Sequence, residues 1–358
     1  MTFRTSPGRA ALRRSAAAAA AAGLALSLAA CGGDDEASAS SSGEDGFGEI
    51  DVQLSWIKNA EFLGEYVADT AGYYADAGFD GVNLVAGPST GVAELVQGAA
   101  DVALSDAVSV GTAVANEEAP VKIIGTTYQK NPFTILSLTG GGNIATPQDL
   151  VGKRIGVQDS NTSLFQALLA ANDISPDDLT VVPVQYDPSV LVNGEVDGFV
   201  AYLTNESITV SADGTPVTNL PFADNGLPFV AETFTVTDQA IAEDRDMLKA
   251  FLEAEIRGWT DVLENPEAAV DTCLESYGAD LGLDRDNEVE SAHIANDELI
   301  TSPDTEENGL FTISEPLQQE TVESLAGAGV DVEVEDLFDL SLLAEVYEEN
   351  PDLLDYSA

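Results

Sequence analysis

DVALSDAVSVGTAVANEEAPVKIIGTT, residues 101–127, decides the fold: residues 101–104 read as a short strand, 107–116 as a helix and 121–127 as a second strand. Strand, helix and strand with short joints are the repeating unit of an open α/β sheet. The alternation extends in both directions. Upstream, 50–56 alternates as a strand and 62–77 reads as a helix, with Phe62, Tyr66, Val67, Tyr73 and Tyr74 supplying apolar surface. Residues 82–85 form a strand and 91–98 a helix. Downstream, 133–138 leads into Gly140-Gly141-Gly142, where the chain turns freely.

A second series begins at Lys153. Strands are expected at 154–157, 180–184 and 198–202, with helices at 163–171 and 190–194 between them. Residues 229–236 read as the strand that returns to the first lobe. The rest is helical, at 247–263, 266–277, 315–327 and 340–348. One lobe therefore interrupts the other: 49–138 and 230–358 make lobe 1, and 139–229 make lobe 2. The Gly140-Gly141-Gly142 connection and the return at 229–236 are the expected two-segment hinge, with a ligand cleft between the lobes. No repeat with a period of 20–50 residues is present.

The N-terminus carries a second signal. Arg4, Arg9, Arg13 and Arg14 form a basic region, 15–30 an Ala/Leu-rich apolar run, and Leu28-Ala29-Ala30-Cys31 a lipoprotein-type cleavage site. The run of about 16 residues falls short of the roughly 20 a helix needs to span a bilayer. Residues 1–30 are therefore expected to be removed and Cys31 lipidated. Residues 31–48 hold small and acidic residues with Phe47 as the only large apolar one, the composition of a flexible tether. No apolar run of 18 residues follows. The expected location is extracytoplasmic, held to the bacterial cell membrane by lipid alone.

Charge narrows the class. The chain has 13 basic and 63 acidic residues, and losing the four leader arginines leaves 9 against 63, a formal charge of −54. Such a field disfavours nucleic acid and repels anionic membranes and solutes at low salt. Cys273 is the only thiol apart from Cys31, and His293 is the only histidine. Neither a metal site nor a Cys/His nucleophile can be assembled from that pair, so no catalytic residue, metal or cofactor is expected.

Several blocks carry a family likeness. WIKNAEFLGEYVA (56–68) is followed by GYY (72–74), AGF (77–79), LVQGAADVA (95–103), PQDLVGKRIGV (147–157), GEVD (194–197), YLTNE (202–206), GW (258–259) and NPEAA (265–269). In this order they resemble the thiamine-precursor and alkanesulfonate (NMT1/THI5-like) solute-binding proteins of ABC importers, over residues 49–350. The resemblance implies a type II periplasmic-binding-protein fold, a small-molecule solute, and an ABC permease with its ATPase as partner. A monomer is expected. Enzymes of the same fold in yeast use a cysteine-rich iron motif, which this chain lacks, and no enzyme activity is expected.

Within that family the opening Trp56, Asn59 and Phe62, with Tyr202, Asn205 and Glu206, looks closest to the branch that binds aminopyrimidine precursors of thiamine. Trp56 is assigned to the cleft as a stacking face, whereas Phe62 suits cleft and core equally. Glu206 just after a strand is placed to accept from an amine and a protonated ring nitrogen. Asp106, Tyr128, Asn131 and Glu232 sit at comparable strand ends. Ser89 lies in a Gly-Pro-Ser-Thr-Gly loop, and Ser160 and Asn161 precede a helix, where the plain capping role is favoured over anion binding. Riboflavin, a sulfonate or another flat heterocycle stays open as the solute, and so does a structural lipoprotein with no small ligand.

Overall fold

The computed structural model describes residues 46–212 and 214–356. The expected signal peptide, Cys31 and the tether as far as residue 45 lie outside the described residues. Among the described residues no helix is long and apolar enough to cross a membrane. In chain order the strands are β1 Gly48–Gln53, β2 Phe79–Val85, β3 Val102–Asp106, β4 Val121–Tyr128, β5 Phe133–Leu138, β6 Arg154–Val157, β7 Thr180–Pro183, β8 Gly198–Tyr202, β9 Val217–Pro221 and β10 Ala231–Thr237. They form two sheets of five strands, ordered β2-β1-β3-β10-β4 and β7-β6-β8-β5-β9.

In each sheet the strands joined by helices run parallel, as crossover connections require, and antiparallel strands complete it. β3 and β4 are almost wholly apolar or small and are buried on both faces. Two lobes with a cleft between them therefore form, as the sequence implies, but two boundaries move. β5 belongs to the second sheet, where it pairs antiparallel with β8 and β9, so the chain leaves the first lobe before Phe133 and not after Leu138. Gly140-Gly141-Gly142 then lies inside the second lobe. A Cβ on Gly142 would collide with the Asp197 carbonyl, so this glycine permits a close backbone approach instead of acting as a hinge. At the N-terminus, the Phe47 amide donates to Gly78 O at 2.9 Å and its ring packs 5.3 Å from Phe79, which ends the tether before residue 48.

The true crossings are residues 129–132 and 222–230, and Asn131 clips them together. Its Nδ2 donates to Leu227 O at 3.0 Å, and its Oδ1 accepts from the Phe133 amide at 2.8 Å. Fully buried, this side chain satisfies backbone groups that would otherwise be orphaned where two loops cross.

The C-terminal helices serve both lobes, whereas the sequence places all of 230–358 in lobe 1. The Arg245–Glu264 helix packs on the Leu63–Ala71 helix, and the contact is close because both carry glycine there. A Cβ on Gly258 would strike the Gly64 carbonyl, and one on Gly64 would strike the Trp259 indole. The Glu315–Gly327 helix touches both the Ala107–Glu117 helix of the first lobe and the Thr162–Ala171 helix of the second. Leu325 joins an apolar seam that runs from Val108 and Ile123 to Phe165 and Leu220.

Candidate ligand-binding cleft

Loops after β1, β2, β3, β6, β7 and β8 converge with the start of β10 on one cleft of about 800 Å³, its open mouth included. Ligands of open α/β sheets sit at this edge, beyond the C-terminal ends of parallel strands. The first lobe supplies Ser55, Trp56, Glu61, Pro88, Ser89, Thr90, Ser105, Asp106, Ser109 and Glu232. The second supplies Phe133, Gln158, Ser160, Asn161, Tyr186, Val200, Ala201, Tyr202, Asn205 and Glu206.

Aromatic rings from opposite lobes meet across it. Trp56 lies edge-on to Tyr186, with centroids 4.5 Å apart and planes at 66°. The Tyr186 hydroxyl is 3.0 Å from Ser160 Oγ, which fixes the ring from the second-lobe side. Tyr202 packs edge-to-face on Phe133 at 4.5 Å. Among the described residues Trp56 Nε1 and Ser105 Oγ are buried without a hydrogen-bond partner, so two polar atoms on the cleft wall are left for something else to satisfy.

Carboxyl groups dominate the polar surface. Glu232 sits at a bulge in β10, where the register slips between Ala231 and Thr233, and its φ of 48° is a region that disfavours residues with a side chain. The bulge directs the carboxylate into the cleft. Ser55 Oγ donates to its Oε2 at 2.8 Å, and the Tyr202 hydroxyl reaches Oε1 from the other lobe at 3.3 Å. Burial pushes Glu232 up to about 7 against the pull of these donors. Glu61 neighbours it and is pushed well above the carboxylate range by burial first and by Glu232 second. Glu206 accepts from the Tyr202 amide at 2.9 Å, and burial raises it to about 7.

Asp106 is engaged differently. It caps the Ala107–Glu117 helix, its Oδ1 accepting from the Val108 and Ser109 amides and its Oδ2 from Ser109 Oγ at 2.6 Å. Burial raises it while those three donors oppose the rise. Below the cleft, Glu65 and Glu255 form another buried acid pair. Burial and then the neighbouring Glu255 raise Glu65, neither of whose oxygens has a partner among the described residues, and burial takes Glu255 to about 8 while it accepts from the Tyr74 hydroxyl.

Of the residues singled out in the sequence, Trp56, Ser89, Asp106, Ser160, Asn161, Tyr202, Asn205, Glu206 and Glu232 come together on the cleft wall. Four do not. Asn59 caps the short turn that begins at Ala60, accepting from the Glu61 amide, and Asn131 is the crossover clip. Phe62 and Tyr128 are buried in the first-lobe core. Glu61, Gln158 and Tyr186 line the cleft without having been singled out. Glu61 stands inside the WIKNAEF block, which was a visible signal, whereas Tyr186 lies on a loop of polar residues with nothing to mark it. Asn161 Nδ2 donates to Gln158 Oε1 at 3.0 Å, and Gln158 Nε2 to Val200 O at 3.0 Å, which braces the second-lobe wall. No Lys, Arg or His lines the cleft among the described residues. No cluster of metal-ligating side chains occurs among them either.

Comparison with known proteins places this geometry. The family described as NMT1/THI5 like matches residues 59–269. A protein of Chloroflexus aurantiacus named riboflavin-binding protein RibY is 28% identical over 301 residues, covering 79% of this chain and 81% of its own. A formylaminopyrimidine-binding protein of Halalkalibacterium halodurans is 24% identical, covering 65% of this chain and 72% of its own. A 4-amino-5-hydroxymethyl-2-methylpyrimidine phosphate synthase of Schizosaccharomyces pombe is 26% identical over 61% of this chain and 66% of its own. Among solved structures, the periplasmic aliphatic sulphonate binding protein SsuA of Escherichia coli superposes with a TM-score of 0.60 at 13% identity, covering 86% of this chain and 94% of its own. That likeness establishes the periplasmic-binding-protein fold.

Proposed function

The chain belongs to the NMT1/THI5-like family, and from that premise we propose that it is the extracytoplasmic solute-binding protein of an ABC importer, selecting a flat nitrogen heterocycle that is neutral or cationic. The observation that carries this reading is the cleft itself: among the described residues it has aromatic faces, four carboxyl groups and no basic side chain. An aminopyrimidine precursor of thiamine suits it through amine donors aimed at Glu206 and Glu232 and a ring set against Trp56. Riboflavin is the second reading, supported by the relative bearing that name. Sulfonate and nitrate are disfavoured, since an anion here would meet carboxylates and no compensating charge.

Closure of the lobes brings Tyr202 to Glu232 and Trp56 to Tyr186, so a ligand between them is held by both lobes and offered to a permease as one rigid object. The protein binds and releases its solute without converting it. A panel of 4-amino-5-hydroxymethyl-2-methylpyrimidine, its formylamino relative, riboflavin, an alkanesulfonate and nitrate tests this by calorimetry and thermal shift. A heterocycle at a hundred times its Kd is expected to add about 2.7 kcal/mol of stability, with no response to the anions. Tight binding of an anion alone would overturn the proposed solute class, and silence across the panel would favour a structural lipoprotein.

Anchoring through Cys31 belongs to the same proposal. The mature protein is expected in the membrane fraction, and Cys31→Ser is expected to release it or leave it unprocessed. Equal solubility and cleavage at the same bond in both forms would refute the lipid anchor.

A further inference from the structure

One proton in the cleft has no part in the binding contacts described so far. Glu61 and Glu232 both line the cleft, are 5% and 1% exposed, and lie within hydrogen-bond reach of each other through their side chains. A carboxylate only accepts, so a hydrogen bond between two carboxyl groups requires a proton on one of them. Adjacent buried acids cannot both ionise freely, and that proton belongs to the pair.

Local structure fixes both members. The turn at Ala60–Phe62 is tied at its start, where the Glu61 amide donates to Asn59 Oδ1 at 3.2 Å and the Ala60 amide to Glu288 Oε2 at 2.8 Å. Glu232 takes the extra position of the β10 bulge, opposite Ser105 and Asp106, which pair with Thr233 and Ala231. Ser105 is 3% exposed and lines the cleft, and its Oγ has no partner among the described residues. The wall beside the pair is thus left open to the polar edge of a ligand.

Among the described residues, the titratable groups that face the pair are all acids or phenols. Glu206 and the Tyr202 hydroxyl face it from the second lobe, and Asp106, Glu65, Tyr66 and Tyr128 from the first. Glu288 approaches from the Arg285–Ile294 helix through the Ala60 amide. Lys58, on the loop that leads to Glu61, has its Nζ 5.9 Å over the Tyr277 ring instead. A cation formed here meets no charge of its own sign and lets both members of the pair ionise.

We propose that the Glu61–Glu232 pair is a proton donor to the solute: its shared proton passes to a ring nitrogen of the bound heterocycle, so that a ring entering neutral is held as a cation by two carboxylates. One O–H bond breaks, one N–H bond forms, and the total charge of cleft and ligand is unchanged. This rests on the heterocycle reading above and restricts it to rings with a weakly basic nitrogen. Glu206 keeps its place as acceptor for an exocyclic amine.

The probe is 4-amino-5-hydroxymethyl-2-methylpyrimidine at pH 8, where the free ring is neutral. Its ultraviolet spectrum in complex with the wild-type protein is expected to match that of the free compound in acid. Calorimetry in buffers of differing ionisation enthalpy is expected to show almost no net proton exchange, because the pair supplies what the ring gains. Glu61→Gln keeps the shape and removes the proton. It is expected to weaken binding at least tenfold at pH 8, with a shortfall that grows from pH 7.5 to 8.5 as the proton must then come from solvent. The two wild-type measurements decide by themselves should the variant fold poorly. A bound ring with the neutral spectrum, uptake of about one proton from the buffer by the wild-type complex, or unchanged binding in Glu61→Gln overturns the proton transfer and leaves the heterocycle reading standing. So does riboflavin binding where the pyrimidine does not. Failure of every ring to bind overturns the heterocycle reading itself.

Discussion

Unfolding midpoints of the ligand-free protein are expected to be highest near pH 5 and to fall steeply up to pH 8.5. Glu206 and Glu232 titrate at about 7 and Glu255 at about 8 in the folded chain, and Glu61 and Glu65 are raised as well, all by burial first. Unfolding releases them to ordinary carboxylate values. The folded state therefore binds more protons than the unfolded one. The resulting stability is fully present below about pH 4.5 and is lost as pH rises through 7 to 8. A rise from about 4.5 to about 7 corresponds to roughly 3 kcal/mol for one group. The five do not add, since Glu61 with Glu232 and Glu65 with Glu255 titrate as pairs. Acids whose values are lowered by surface partners, such as Asp197 beside Arg154, lose their contribution only at still lower pH, which sets the maximum near 5. Self-repulsion of a chain this acidic slopes the same way, so Glu255→Gln is the control. It keeps an acceptor for Tyr74, removes one titration and should flatten the alkaline side. A midpoint that is level or rising between pH 5 and 8.5 contradicts the buried-acid account.

Binding should fail in two distinct ways when the cleft is cut. Trp56→Ala removes a face, and every flat ligand is expected to weaken about 10- to 100-fold, given the roughly 1–3 kcal/mol that a stacked base contributes. Glu206→Gln removes a charge while keeping the shape and the bond from the Tyr202 amide. A ligand with an exocyclic amine is expected to lose about 10- to 100-fold, from the roughly 1.5–3 kcal/mol of a hydrogen bond to a charged group. Its deaminated analogue should hardly change. Calorimetry with the two compounds on both variants separates the effects. Wild-type behaviour of Glu206→Gln toward both would make Glu206 a wall residue with no part in recognition.

Much of this architecture was legible because strand and helix alternate plainly. β5, β6 and β8 begin and end where their apolar runs do, and residues just past strand ends were natural cleft candidates because parallel sheets open at that edge. β9 escaped notice, since its Val-Thr-Asn-Leu-Pro is a polar edge strand with one buried side chain of note. The crossing escaped too. Three glycines look like a hinge, whereas the actual crossing is held by the buried amide of Asn131, a tertiary effect that no local pattern carries. Phe62 and Tyr128 show the converse limit. Aromatic residues beside the cleft and behind it look alike until the Arg245–Glu264 helix and the rest of the first-lobe core cover one set. Glu61 stands in the visible WIKNAEF block, yet an acid in an acidic chain reads as solvated surface until the fold sets it beside Glu232.

The insertion of β10 between β3 and β4 has a consequence for the order of assembly. β4 joins the first sheet only through β10, and the entire second lobe lies between them in the chain. The second sheet is built from β5 to β9, one continuous stretch, and can close as soon as that stretch is available. The first sheet must wait, with β3 and β4 presenting apolar, unpaired edges in the interval, and pairing across so long a gap is slow. Glu232 arrives on that last strand. The cleft thus cannot be complete before β10 is in place, and a solute that depends on Glu232 gives no help to species that precede that pairing.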